Sequence, residues 1–366
     1  MQPDSRKSLK RTLLFIGIVV TIILVLNTIY TNQVLTKKTF YRKELMFQDY
    51  ISNLPQRKFD YIFFGDSHAF HAINPDFIPN SYNYGSGAEN YIKTYFKLRK
   101  VLSRDKIWVD TIVLELDPHT FSSRLTDKTN LFNELELYSQ FVSFQEIMVV
   151  RDDSLLSLWI EAKLPIIGKG KEFGILVKEQ EFNEVHQNGW LKNKENFSIA
   201  NKTQSAEFVI GDIYKSHERI SNVSFEYFIK TLELAKKNNI NVVFIKYPHT
   251  KEYDIELTKN NLSKEDYYSI IFQKINQTLD SYTVLDYYDL FPEKDYLFGD
   301  PAHLNYIGAE VFSKRVYNDL KGPTLSRNQT NQELEDSNFF TPANNFVPRG
   351  VSLIFLLQSE STKSIS

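Results

Sequence analysis

The sequence has no cysteine among its 366 residues. That excludes disulfides, thiolate metal sites and a cysteine nucleophile. It also fits a domain outside the cytoplasm, where stray thiols would oxidise. An excess of one charge is missing too, since the formal net charge is −2. No basic balance recommends nucleic acid as a partner, and none is expected. No internal repeat is found. What is present is 42% apolar and 24% charged residues, enough for a sizeable core in one large domain or two small ones.

The N-terminus carries a membrane signal. Arg6, Lys7, Lys10 and Arg11 precede an uncharged apolar run from Thr12 to Tyr30. The run is long enough for one bilayer span and lacks an Ala-x-Ala-like cleavage site after it. It is expected to be an uncleaved signal anchor, with residues 1–11 cytoplasmic and the rest extracytoplasmic. Lys37, Lys38, Arg42 and Lys43 beyond the span weaken the charge asymmetry behind that orientation.

Residues 31–57 read as a juxtamembrane stalk. Short apolar runs follow at Phe59–Phe64, Thr111–Leu116, Asn241–Lys246 and Thr283–Leu285, with Tyr82–Tyr84 leading into a glycine turn. Helical spacing lies between them, at 90–102, around Phe228, Leu232 and Ala235, and at 304–320. This alternation predicts an α/β domain over 58–322, with a mostly parallel sheet covered on both faces. In such sheets sites form at the carboxyl ends of strands. Residues 122–222 break the rhythm. They read as a mainly helical insertion packed over the site as a lid, or as further sheet elements. Residues 323–366 turn polar and are expected to be disordered, with one apolar stub at 351–357.

Two motifs carry chemistry. The first strand ends in Gly65-Asp66-Ser67, where the glycine permits a sharp turn that exposes the hydroxyl. Near the C-terminus stands Asp300-Pro301-Ala302-His303, whose i, i+3 spacing puts acid and imidazole on one face. Ser67, His303 and Asp300 then supply nucleophile, base and orienter. Asp117, His119, Tyr247 and His249 follow strand ends and are candidates to line the pocket. His68 and His71 offer two metal ligands, but no acidic or further histidine cluster stands near them, so no metal is expected.

Taken with the Asn83-Tyr84-Gly85-Ser86-Gly87 turn, these blocks resemble the SGNH (GDSL-type) hydrolase superfamily of esterases, lipases, deacetylases and acyltransferases. The resemblance covers 58–120 and 224–320. It implies a three-layer α/β/α flavodoxin-like fold with an N-terminal transmembrane helix added here, and no cofactor. It also implies an oxyanion hole from the N–H groups of Ser67 and Gly87, with Gly85 the alternative glycine. One block departs: where the family places Gly-x-Asn-Asp, this chain reads Leu116-Asp117-Pro118-His119. An ionised aspartate cannot donate, which leaves His119 or no side chain as the third donor. The pattern is similar, more loosely, to anchored proteins that act with membrane-bound acyl-transferring partners on surface polymers, such as alginate acetylation proteins.

The expected activity is that of a serine esterase or O-acyltransferase on acyl esters of an envelope polysaccharide or lipid. The alternative is a non-catalytic assembly or binding protein on the same fold.

Overall fold

The computed structural model describes residues 3–53, 58–104, 107–127, 131–132, 134–167, 169, 172–174, 185–194, 202–214, 220–260, 264–322 and 352–353. The chain divides into two compact units, Met1–Asp49 with Asp127–Val185, and Tyr50–Thr126 with His186–Ser366.

The first unit opens with α1 (Pro3–Ile29), which continues into a π-helical turn, Tyr30–Val34, and a 3-10 turn, Leu35–Lys37. It is the one helix among the described residues long and apolar enough to cross a bilayer. It fits either a single-pass anchor or a signal sequence. α2 (Thr39–Asn53) follows. The same unit contains α5 (Leu135–Tyr138), α6 (Phe144–Arg151) and α7 (Leu155–Lys163). Ser143 and Ser154 cap α6 and α7, accepting from the N–H groups of Glu146 and Ser157.

The second unit is built on five strands: β1 (Lys58–Phe64), β2 (Ser81–Asn83), β3 (Trp108–Glu115), β4 (Asn241–Lys246) and β5 (Thr283–Asp286). All pair in parallel in the order β2-β1-β3-β4-β5. This is the flavodoxin-like order. Ser352–Leu353 adds a short antiparallel edge to β5 and is the only described piece of the expected tail.

Ile62, Phe63 and Phe64 are consecutive and all fully buried, which requires cover on both sheet faces. On one face Phe63, Val113 and Ile245 pack with Ala69 and Ala72 of α3 (Ser67–Ala72) and Phe312 and Val316 of α12 (Tyr306–Leu320). On the other, the Phe228 ring of α9 (Asn222–Lys237) meets Tyr91 of α4 (Tyr91–Leu102) at 4.7 Å and Phe244 of β4 at 6.1 Å. The remaining helices are α8 (Lys202–Tyr214), α10 (Lys251–Lys259) and α11 (Lys264–Thr278). Helices, short turns and single bridge residues at Val185 and Leu191 make up the regular structure of the described part of 122–222. Its first part groups with the N-terminal helices and its last with the sheet.

Asn305 fixes the loop that matters for chemistry. Its Oδ1 caps α12, accepting from Ile307 and Gly308 N–H at 3.0 Å each. Its Nδ2 donates to the carbonyls of Tyr296 and Phe298 at 2.7 and 3.1 Å. Gly308 is the point of closest approach, because a Cβ there would run into the Leu297 carbonyl and sit 3.0 Å from Leu304 Cδ2. We expect Gly308→Ala to cost about 1–3 kcal/mol, read as a lowered melting temperature. An unchanged melting temperature would show that this loop yields freely.

Candidate active site

The residues come together at the carboxyl rim of the sheet. β1 ends at Phe64 and α3 begins at Ser67, so two residues make the turn. Gly65 is required there: a Cβ would lie 2.8 Å from Glu115 Cβ and 2.9 Å from Ala69 Cβ. Asp66 caps α3, its Oδ1 accepting from His68 N–H at 2.8 Å. Ser67 stands in the first turn, where backbone N–H groups have no partner within the helix.

The Asp300–His303 loop comes back to this turn. His303 Nε2 lies 2.7 Å from Ser67 Oγ, and His303 Nδ1 lies 2.7 Å from Asp300 Oδ2. Asp300 Oδ1 accepts from the N–H groups of Ala302 and His303 at 2.8 and 3.0 Å. Pro301 O accepts from Thr250 N and Oγ1 at 3.0 and 3.1 Å, tying the loop to the head of α10. An ionised carboxylate can only accept, so Nδ1 carries the proton and Nε2 is left to accept from the serine hydroxyl. Burial opposes ionisation of Asp300, but the His303 imidazole and the hydrogen bonds outweigh it and hold the carboxyl well below its usual range. Burial likewise opposes charge on His303, and Asp300 outweighs it, leaving that imidazole raised above its usual 6.5. The His303 side chain keeps 20% of its surface exposed, so a substrate can reach the pair.

The glycine turn lies alongside. Gly85 N–H is committed to Asn83 Oδ1 at 3.0 Å, whereas Gly87 N–H has no partner among the described residues. The turn is braced by buried Lys97, whose Nζ donates to Glu89 Oε2, Ser86 Oγ and Tyr84 O at 2.5, 2.9 and 2.9 Å.

The four expected pocket residues sit at strand ends as predicted, but they face inward. Asp117 is fully buried and accepts from Tyr247 N–H at 3.3 Å. Burial, with Asp66 nearby, pushes its carboxyl up to about 7. Tyr247 packs on Phe312, and His249 stacks on Tyr253 with centroids 4.4 Å apart. His119, the candidate third donor, spends its Nε2 on Asp66 Oδ2 at 2.5 Å. Its other ring nitrogen is buried with no hydrogen-bond partner among the described residues.

The expectation that no acidic or histidine cluster stands near His68 is overturned. Asp66, His68, Glu115 and His119 are all buried, with ligand-type atoms within 4.8 Å of one another. The linear sequence hid this because Glu115 ends β3 and His119 lies in the 3-10 turn Pro118–Phe121 after it, both far along the chain from Asp66 and His68. Their i, i+4 spacing after a strand was the available signal. Donors sharing a tetrahedral ion at roughly 2.0–2.1 Å stand about 3.3 Å apart. The two contacts of Glu115 Oε1, 3.1 Å to His119 Nε2 and 3.5 Å to His68 Nδ1, match that spacing. The contacts to Asp66, 2.5 Å from His119 and 2.9 Å from His68, are instead hydrogen-bond lengths. Asp66 and His119 therefore form a buried ion pair, flanked by Glu115 and by His68, whose imidazole is lowered to about 4 by burial. Burial opposes charge on both Asp66 and His119, yet each holds the other ionised. Burial and then Asp66 push Glu115 up towards its neutral form. The network clamps the residue preceding Ser67, since Asp66 N–H also donates to Glu115 Oε2 at 2.7 Å.

No family model matches the chain. No curated protein matches it. Solved structures do match. One is a candidate acylhydrolase from Bacteroides fragilis NCTC 9343. It aligns over 74% of this chain and 94% of its own, at 10% identity and a TM-score of 0.33.

Proposed function

We propose that this protein is an SGNH-type serine esterase or O-acyltransferase, anchored by α1 with its sheet domain outside the cytoplasm. Its substrate would be an acyl ester of an envelope polysaccharide or lipid. The observation that carries the reading is the pair of 2.7 Å contacts, Ser67 Oγ to His303 Nε2 and His303 Nδ1 to Asp300 Oδ2. Ser67 Oγ attacks the ester carbonyl carbon while His303 Nε2 takes its proton. Ser67 and Gly87 N–H groups face the oxyanion, each such donor being worth roughly 10²–10³ in rate. The tetrahedral intermediate expels the alcohol, which takes the proton back from His303. Water or a sugar hydroxyl then resolves the acyl-enzyme. Water completes hydrolysis, and a glycan hydroxyl, with acyl groups delivered by a membrane-bound partner, completes transfer.

A second reading is a non-catalytic assembly or binding protein. It is favoured by the burial of Asp117 and His119, neither of which is free to serve as a third side-chain donor.

Fluorophosphonate labelling of the full-length protein in detergent tests the first reading. Labelling should need neutral His303. Because Asp300 raises that imidazole, the rate should fall on acidification with a midpoint above 6.5. A folded protein that resists the probe across this range would favour the second reading.

A further inference from the structure

α7 turns its apolar face outward. Leu158 and Ala162 are buried, whereas Leu155, Leu156 and Trp159 are 48%, 68% and 48% exposed. Ile167, just past the helix, is 53% exposed. A cluster of this kind marks a partner surface.

The attachments of α7 within its own unit indicate which partner. Asn27, in the last turn of α1, donates from Nδ2 to the Lys163 carbonyl at 3.2 Å, and its Oδ1 accepts from Ile166 N–H at 3.5 Å. Ile166 and Phe173 then pack on Tyr30, Val34 and Leu35, the residues into which α1 continues. The C-terminal end of α7 is therefore fixed to the exit end of the apolar helix. At 1.5 Å per residue, Asn27 lies roughly 5 Å short of Tyr30 along that axis. Helices lying in a membrane surface bury their apolar face about 5–10 Å into the headgroup boundary, the depth that tryptophan favours.

We propose that α7 lies in the membrane–water interface on the side where α1 emerges, with Leu155, Leu156, Trp159 and Ile167 in contact with lipid. This rests on reading Thr12–Tyr30 as an uncleaved span. The contact is apolar. Arg151 is paired with Asp153 and Glu161 at 2.8 and 3.0 Å, so among the described residues of α6 and α7 a lone exposed Lys163, rather than a basic cluster, is left to meet anionic headgroups.

The absence of native cysteine makes the test direct. Full-length Leu156→Cys, Leu24→Cys and Trp108→Cys proteins are each labelled with an environment-sensitive fluorophore and reconstituted into phosphatidylcholine vesicles. Leu24 lies within the span, and Trp108 is a 69% exposed reference on the sheet unit. The expected result has three parts. The probe at 156 is quenched by nitroxide carried near the headgroup, and it is shielded several-fold from iodide relative to the probe at 108. Neither effect changes with high salt or anionic lipid. A 156 probe open to iodide and untouched by lipid nitroxide, with the 24 probe quenched deep in the bilayer, overturns the proposal while leaving the anchor intact. A 24 probe that lipid nitroxide does not reach removes the anchor, and the proposal with it. Shielding at 156 that vanishes at one copy per vesicle assigns the surface to a second copy of the chain and also overturns the proposal.

Discussion

Ser67→Ala should lower turnover of an acyl ester by on the order of 10⁶-fold, the loss seen when a serine nucleophile is removed from such a constellation. The residue above background would come from the Ser67-position and Gly87 N–H groups and from binding alone. The fold should not suffer. Ser67 opens α3, but Asp66 caps it, and alanine is a strong helix former. The melting temperature is thus expected to stay near that of the parent while kcat collapses. His303→Ala should cost about as much, and the double variant no more than either alone, because the two groups act as one unit. A Ser67→Ala protein that retains its turnover would remove the serine from the chemistry.

Asp300→Asn should be nearly as damaging, about 10⁴-fold, with the geometry left in place. Asparagine can keep its oxygen on the N–H groups of Ala302 and His303, which hold Asp300 Oδ1 at 2.8 and 3.0 Å. Its amide nitrogen then faces His303 Nδ1 and donates. That drives the imidazole proton to Nε2, where it points at Ser67 Oγ and cannot accept. The carboxylate that raises His303 is also gone, so any remaining activity should show its acid limb at lower pH than the parent. Rate against pH reads both effects. A loss below about tenfold with an unshifted limb would deny Asp300 the role of orienter.

How much of this could be read from the chain depended on the range of each interaction. A parallel sheet buried on both faces leaves uninterrupted apolar runs, and β1, β3, β4 and β5 stand where those runs are. Ser67 and the Asp300–His303 pair were legible because each is set by a local turn. That they meet follows from parallel topology, which brings strand ends to one rim. The Asp66–Glu115–His119 network was not legible, since its contacts join residues 49 and 53 positions apart. Asp117, His119, Tyr247 and His249 show a related gap. Their place at strand ends was evident, but a strand-end position does not say whether a side chain turns to solvent or to core. The association of 127–185 with the N-terminal helices was equally hidden. It runs through Asn27 and Ile166, 139 positions apart, with no periodic signal at either end.

The distance along the chain between Ser67 and His303 has a temporal consequence. Their side chains touch, yet 236 positions separate them. A growing polypeptide presents its serine early and its imidazole only when nearly the whole sheet domain has been made. Contacts of such long range are also late to form, since the intervening loop entropy has to be overcome first. If Ser67 is the nucleophile, it is unarmed throughout synthesis. Reactivity would arise only once the finished domain has folded.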